Sequence, residues 1–167
     1  GTAGAITTSM TYQTGSGSYP CVAVYNQVLT MTDPLNHTTT IGYDSAGKNP
    51  TSVTDALSHG LTISPNSNGQ PASITTSAGT TQFGYLNGDL TSITDPTSNT
   101  SYRTFDAVGR LTRILTPLGE ATQYQYDSLD LLTKVIDPLG MQTSFTYDGN
   151  GNLLTVQDAL NHISTYS

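Results

Sequence analysis

A short pattern returns along this chain roughly every 21 residues, and that period constrains its fold more than any other feature. One half of the pattern is a turn that opens on Asp. It recurs as Asp33-Pro34, Asp55-Ala56, Asp95-Pro96, Asp137-Pro138 and Asp158-Ala159, with Thr116-Pro117 and Thr76-Ser77 as altered copies. The steps between these starts are about 19 to 22 residues, the scale of short β-repeats. The other half is an aromatic–Asp pair followed by Gly or Asn. It appears as Tyr43-Asp44, Phe105-Asp106, Tyr126-Asp127 and Tyr147-Asp148, with Tyr12-Gln13, Pro65-Asn66 and Tyr85-Leu86 as eroded copies.

Between the two turns run segments with strand period, such as Thr143-Ser-Phe145-Thr-Tyr147 and Leu111-Thr-Arg-Ile114. Each unit therefore reads strand, Gly/Asn turn, strand, Asp-Pro turn. Asp starts a turn because its carboxylate caps nearby N–H groups, and Pro fixes φ and cannot donate to a ladder. The turn glycines Gly47, Gly69, Gly88, Gly109 and Gly151 stand where a tight hairpin calls for positive φ. Residues 1–167 read as one array of about seven hairpin units, with an irregular insertion around 14–24. A lone hairpin buries too little to be stable. Stacked units are expected to share one sheet and to bury their aromatic and Leu/Val/Ile face. On that reading Tyr147→Ala costs roughly 3 kcal/mol.

Composition agrees with an all-β chain. Charged residues make up only 10 %, and the polar mass is Thr, Ser, Asn and Gln. Thr favours a pleated surface because its branched Cβ packs well there. The net charge is −7 with Lys+Arg 5, too few cations to neutralise a run of phosphates, so nucleic acid is excluded as a partner. The same scarcity disfavours anionic membrane surfaces, and no apolar run approaches the roughly 20 residues of a bilayer span. Cys21 is the single cysteine, so no internal disulfide forms.

The set Tyr43-Asp-Ser-Ala-Gly47, Phe105-Asp-Ala-Val-Gly-Arg-Leu111 and Tyr147-Asp-Gly-Asn-Gly151, each followed by a Thr/Ser strand and an Asp-Pro-like turn, resembles the YD repeats of the RHS (rearrangement hotspot) family. Such repeats also occur in teneurins and in the shells of insecticidal toxin complexes. The resemblance covers residues 2 to 167. It implies a continuous spiralling antiparallel β-sheet, solenoid-like or shell-like, that in family members closes around a C-terminal cargo, often a toxin. Others of the family serve in cell-surface adhesion. The family's shells have many more repeats, and their Asp-rich self-cleaving end and plug are not visible here. The implied role is a non-catalytic structural module of an extracellular or cell-surface assembly. The rivals are a toxin-shell segment and a carbohydrate or cell-surface binding module.

The candidate positions follow from the repeat. Tyr12, Tyr43, Phe105, Tyr126 and Tyr147 are expected to pack between repeats. Asp44, Asp106, Asp127 and Asp148, with Asp33, Asp55, Asp95, Asp137 and Asp158, are expected to cap turns. Ca²⁺ on the Asp series is the rival reading, but every turn needs its cap whether or not an ion is present. His37, His59 and His162 hold one repeat position and read as turn residues, because a metal site needs convergent ligands. Cys21 has no His near it in sequence, and no phosphate loop or nucleophile elbow appears. No cofactor or catalytic group is therefore expected. Asn36-His-Thr38 and Asn99-Thr-Ser101 are glycan sequons.

The chain starts on Gly1 without Met and opens and closes inside a repeat, which reads as a processed or partial chain. Sheet edges without caps invite strand addition. The expected partners are thus the rest of a longer RHS chain, or further copies joined end to end in a filament.

Overall fold

The computed structural model describes residues 8–12 and 27–166. The insertion expected around 14–24, with Cys21, lies outside the described residues. Among the described residues fifteen strands stand in one sheet in chain order, and the described pairings are antiparallel. No helix occurs among the described residues, and none is long and apolar enough to cross a membrane.

The chain divides into two compact units, Gly1–Gln82 and Phe83–Ser167. The first holds β1 (Ser9–Tyr12), β2 (Val28–Thr32), β3 (Thr38–Tyr43), β4 (Pro50–Thr54), β5 (Gly60–Pro65), β6 (Pro71–Thr76) and the start of β7 (Gly79–Leu86). The second holds the rest of β7, then β8 (Asp89–Thr94), β9 (Thr100–Phe105), β10 (Leu111–Leu115), β11 (Ala121–Tyr126), β12 (Leu132–Ile136), β13 (Gln142–Tyr147), β14 (Leu153–Gln157) and β15 (Ile163–Thr165).

Alternation gives each unit an apolar face and a hydroxyl face. In the first unit Met10 faces Met31, Ile41 faces Val53 and Ile63 faces Ile74. In the second, Tyr124 faces Val135 and Phe145 faces Val156. On the other face Thr meets Thr. The Thr11–Thr30 and Thr146–Thr155 hydroxyls lie 2.6 Å apart, directly across the ladder. Such cross-strand pairs are the unit of sheet stability.

The apolar face is not buried as the sequence led one to expect. No side chain among the described residues is fully buried, and Tyr12 is 46 % exposed. A sheet covers its face only by packing on a second layer, and none of the described elements supplies one.

The hairpins that close on the aromatic–Asp pair share a register shift just before the aromatic residue. It falls between Gly42 and Tyr43, Thr104 and Phe105, Gln125 and Tyr126, and Thr146 and Tyr147. The partner strand has one extra residue there, which is a β-bulge. In two of the bulges that residue is a Thr whose hydroxyl donates to the facing strand. Thr112 donates to the Thr104 carbonyl at 3.0 Å and Thr133 to that of Gln125 at 3.1 Å.

Two connections are tighter. Ser77-Ala78 links β6 to β7, with Thr76 paired to Gly79. Asn87-Gly88 links β7 to β8 with φ of 53° and 96°, the two positive values a type I′ turn requires.

Candidate functional site

The Asp positions fall into two series by sequence, but one closure serves both. At the Asp-Pro-like turns, Oδ1 of Asp33 accepts the backbone N–H of Leu35 and His37, at 2.8 and 2.9 Å. Asp55, Asp95, Asp137 and Asp158 repeat this with the residues two and four positions on. At the aromatic–Asp turns, Asp106, Asp127 and Asp148 make the same pair of bonds. Asn66 also makes it, with its amide oxygen. Asp44 accepts the Lys48 N–H at 2.8 Å in a loop one residue longer, which closes on the Asn49 carbonyl.

The backbone closes in the same way each time. The N–H three residues after the Asp donates to its carbonyl, and that third residue is left-handed. It is Gly in six turns, with Gly119 at φ 84° as an example, but Asn36, Ser58, Ser98, Asp130 and Asn161 take the conformation without being glycine. The sequence placed this demand only on the Gly turns.

The second carboxylate oxygen is also engaged in most turns. It meets the side chain four residues on: His37 Nδ1 on Asp33 at 2.9 Å, His59 on Asp55 at 3.0 Å and His162 on Asp158 at 2.9 Å. Asn99 and Asn152 donate to Asp95 and Asp148 in the same manner. These bonds favour the ionised carboxylate. The Asp33 and Asp55 carboxyls are held below the ordinary value chiefly by the His37 and His59 backbone N–H groups. Asp158 is lowered first by the His162 side chain. Asp95 falls to about 2, first through the Thr97 hydroxyl at 2.7 Å and then through Asn99.

Each histidine is thus tied to its own turn rather than brought to the others. No group of three or more His, Cys, Asp or Glu that could hold a metal occurs among the described residues. Oxygen atoms already taken by two N–H groups and a side chain leave little for a cation that wants several carboxylates.

The aromatic positions tie neighbouring strands. The hydroxyl of Tyr43 donates to the Val28 carbonyl at 3.1 Å, that of Tyr126 to Leu111 at 2.9 Å, and that of Tyr147 to Leu132 at 2.8 Å. Each bond reaches back fifteen residues. Each falls where the backbone register has run out. The β10–β11 pairing ends at Arg113↔Gln123, two residues short of Leu111, and β12–β13 ends at Lys134↔Ser144, two short of Leu132. The tyrosine supplies the rung the backbone no longer makes. Phe105 has the ring but no hydroxyl, and the Tyr12 hydroxyl turns to Met10 Sδ at 3.5 Å.

Arg110 joins two turns of the second unit. Its Nε donates to Asp106 at 2.7 Å, and its Nη1 to the Asp127 carbonyl at 2.8 Å and to Asp130 at 2.7 Å. Its guanidinium also stands 5.0 Å from the centre of the Tyr126 ring, in reach of a cation–π contact. The sequence reading did not single out this residue. Its place directly after the turn glycine, four residues from Asp106, is the signal that was available.

A cavity of about 420 Å³ lies along β8 and β9, beside Tyr102, Asn87, Asp89 and Thr104. Its wall includes Phe105, the position without the closing hydroxyl. Arg103 Nη1 is buried there without a hydrogen-bond partner.

Comparison with known proteins agrees with this geometry. An array of Asp-capped antiparallel hairpins tied by tyrosines is a repeat sheet, and residues 105–140 and 126–163 match the model of the RHS Repeat. The matched stretch, residues 105–163, carries the RHS Repeat pattern, and the fold of the chain is like that of solved RHS-type structures. Among solved structures it is similar to the Photorhabdus luminescens Tc holotoxin pore, at 18 % identity and a TM-score of 0.68 over 84 % of this chain. It is also similar to the TcdB2–TccC3–Cdc42 crystal structure, at 19 % identity and 0.68 over 84 % of this chain. A third is TcdB2–TccC3 without its hypervariable C-terminal region, at 18 % identity and 0.67 over 85 %. Identities this low describe a shared fold. The chain spans 9 % of the length of each of these three solved chains. No curated protein sequence matches it.

Proposed function

We propose that this chain is a wall segment of an RHS-type shell, contributing sheet rather than chemistry to a secreted or cell-surface assembly. Residues 1–167 form one repeat array on this reading, and Tyr12, Tyr43, Phe105, Tyr126 and Tyr147 with the capping Asp residues are its structural positions. The observation that carries it is the set of tyrosine ties, which continue the sheet from one hairpin to the next. The likeness to toxin-complex structures supports it. The capping Asp carboxylates and the tyrosine hydroxyls are committed to holding turns and strands, which supports a structural rather than a catalytic reading. The natural partner is the rest of a longer RHS chain; end-to-end joining of copies into a filament is the variant form. Electron microscopy of the purified chain tests this. Single thin particles are expected of a segment and filaments of the end-joining form, whereas a compact, helix-rich particle overturns both.

One feature favours a second reading, a carbohydrate-binding module. Tyr102 is 51 % exposed and lies beside the cavity with Asn87, Asp89 and Thr104, an aromatic surface among hydrogen-bonding groups. A glycan array checks it: binding lost in Tyr102→Ala supports this reading.

A further inference from the structure

The cavity of about 420 Å³ lies where the ladder between β8 and β9 stops. Their pairing ends at Ser92↔Tyr102, two residues short of Leu90. The gaps beyond Arg113↔Gln123 and Lys134↔Ser144 are equivalent, and there Tyr126 and Tyr147 supply the missing rung. Phe105 holds the tyrosine position at this gap and has no hydroxyl to give. The two strands therefore stay open here, over a volume within the roughly 300–1,000 Å³ of small-molecule pockets. Side chains alternate along β9, so Tyr102 and Thr104 line the gap from one face of the sheet and Arg103 and Phe105 from the other.

Two charged groups of this wall are uncommitted. Arg103 Nη1 is buried without an acceptor, whereas Arg110 meets Asp106, Asp130 and the Asp127 carbonyl. Asp89 accepts no capping N–H and forms no ion pair among the described residues, although it lines the same gap. Asp106, the third charged group there, is already met by Arg110 at 2.7 Å. A buried donor without an acceptor is costly, and native structures keep few of them. No bond holds the Nη1 end of Arg103, so that end can swing to an acceptor in the gap without giving one up.

We propose that this gap is a subsite for a neutral sugar residue, with Arg103 donating to its oxygens, Asp89 accepting from its hydroxyls and Tyr102 packing on its ring face. The inference rests on the carbohydrate-binding reading and specifies it. The charges decide the ligand class. A carboxylate that meets Arg103 also meets Asp89 on the same wall, and a cation that meets Asp89 also meets Arg103. A neutral polyol satisfies both, because each hydroxyl donates and accepts. Tyr102, half exposed, offers a flat apolar surface, and Thr104 beside it adds a further hydroxyl.

A glycan array carrying neutral oligosaccharides beside their sialylated forms tests this with the whole chain and its variants. The parent is expected to hold a neutral glycan several-fold better than its sialylated form. Arg103→Gln is expected to weaken that binding about tenfold or more, as the loss of a charged hydrogen-bond donor does. Phe105→Tyr restores the hydroxyl, closes the gap and is expected to weaken binding to a similar degree. Circular dichroism checks that both variants keep their β-structure, and a raised urea midpoint in Phe105→Tyr reports the closure. Preference for the sialylated form overturns the inference. So does full binding by a folded Arg103→Gln, or by Phe105→Tyr with a raised midpoint. If binding is then lost only in Tyr102→Ala, the carbohydrate-binding reading stands without this subsite. A parent that holds no glycan on the array overturns both.

Discussion

The hydroxyl of Tyr126 donates to the carbonyl of Leu111 at 2.9 Å, at the point where β10 and β11 have ceased to pair through their backbones. The same tie joins Tyr147 to Leu132 and Tyr43 to Val28. Removing only the hydroxyl isolates its contribution. Tyr147→Phe is expected to destabilise by about 1 kcal/mol, the net worth of one hydrogen bond. Tyr147→Ala is expected to cost about 2 kcal/mol, less than for a fully buried ring, because the ring is only partly covered. Urea unfolding of both variants provides the measurement; a Tyr147→Phe protein as stable as the parent shows the tie to be idle.

Phe105 permits the converse. Phe105→Tyr places a hydroxyl where the pattern points to the Leu90 carbonyl, fifteen residues back, and should raise stability by up to about 1 kcal/mol. An unchanged or lower midpoint in the same titration shows that the β8–β9 gap cannot accept the rung.

Arg110 is a staple between two turns. Arg110→Ala is expected to lower the melting temperature, and Arg110→Lys to lower it nearly as much. Lys cannot present the planar fork that meets Asp106, Asp130 and the Asp127 carbonyl together. Full recovery by Lys would reduce the staple to simple charge attraction.

The caps make stability depend on acid. Asp95 titrates at about 2 in the folded chain against an ordinary 3.8, so the folded state favours its ionised form. That stability is fully present above about pH 4, and is lost as pH falls toward 2. The lowered Asp33, Asp44, Asp55, Asp106, Asp148 and Asp158 act with the same sign. Melting temperature followed from pH 5 downward should decline over this range, and Asp95→Asn should make the decline shallower. A chelator at neutral pH should leave the melt unchanged, because each carboxylate is satisfied within its own turn.

Ser58 and Ser98 hold φ of 65° and 69°, conformations that cost an L-residue roughly 1–2 kcal/mol. Glycine avoids that cost but is freer when unfolded. Ser58→Gly should therefore stabilise by about 0.5–1 kcal/mol in denaturant unfolding. A destabilised variant would mean that the serine side chain contributes more than the backbone loses.

Much of this was legible because the period is strong. Asp and Gly mark the turns, and Thr143-Ser-Phe145-Thr-Tyr147 falls on β13. The bulges were not read. Leu111 and Ile114 are three apart, so strict alternation sets them on opposite faces, yet they face Phe105 and Arg103, which are two apart on one strand. The extra residue at Thr112 brings both to the same face, and the odd spacing was the visible sign. Burial was misjudged for another reason. Alternation shows that one face is apolar, but not whether anything lies on it. The tyrosine ties were beyond reach, since a bond to a carbonyl fifteen residues away depends on where a ladder ends.

The ties and caps are all short-range: a cap spans four residues, a tie fifteen, and each tie joins adjacent strands. Removing or duplicating one whole unit would therefore leave the cap of every remaining turn with both of its ends, and only bonds between units, such as Arg110 to Asp130, would lose a partner. Length in such a chain can change by slippage or recombination between similar coding stretches, without repacking what remains. An insertion of a few residues inside a strand has no such freedom, because it would shift every register downstream within its hairpin. Variation among chains of this kind is thus expected in whole units and in loops at the turns, with the strands between them held to fixed length.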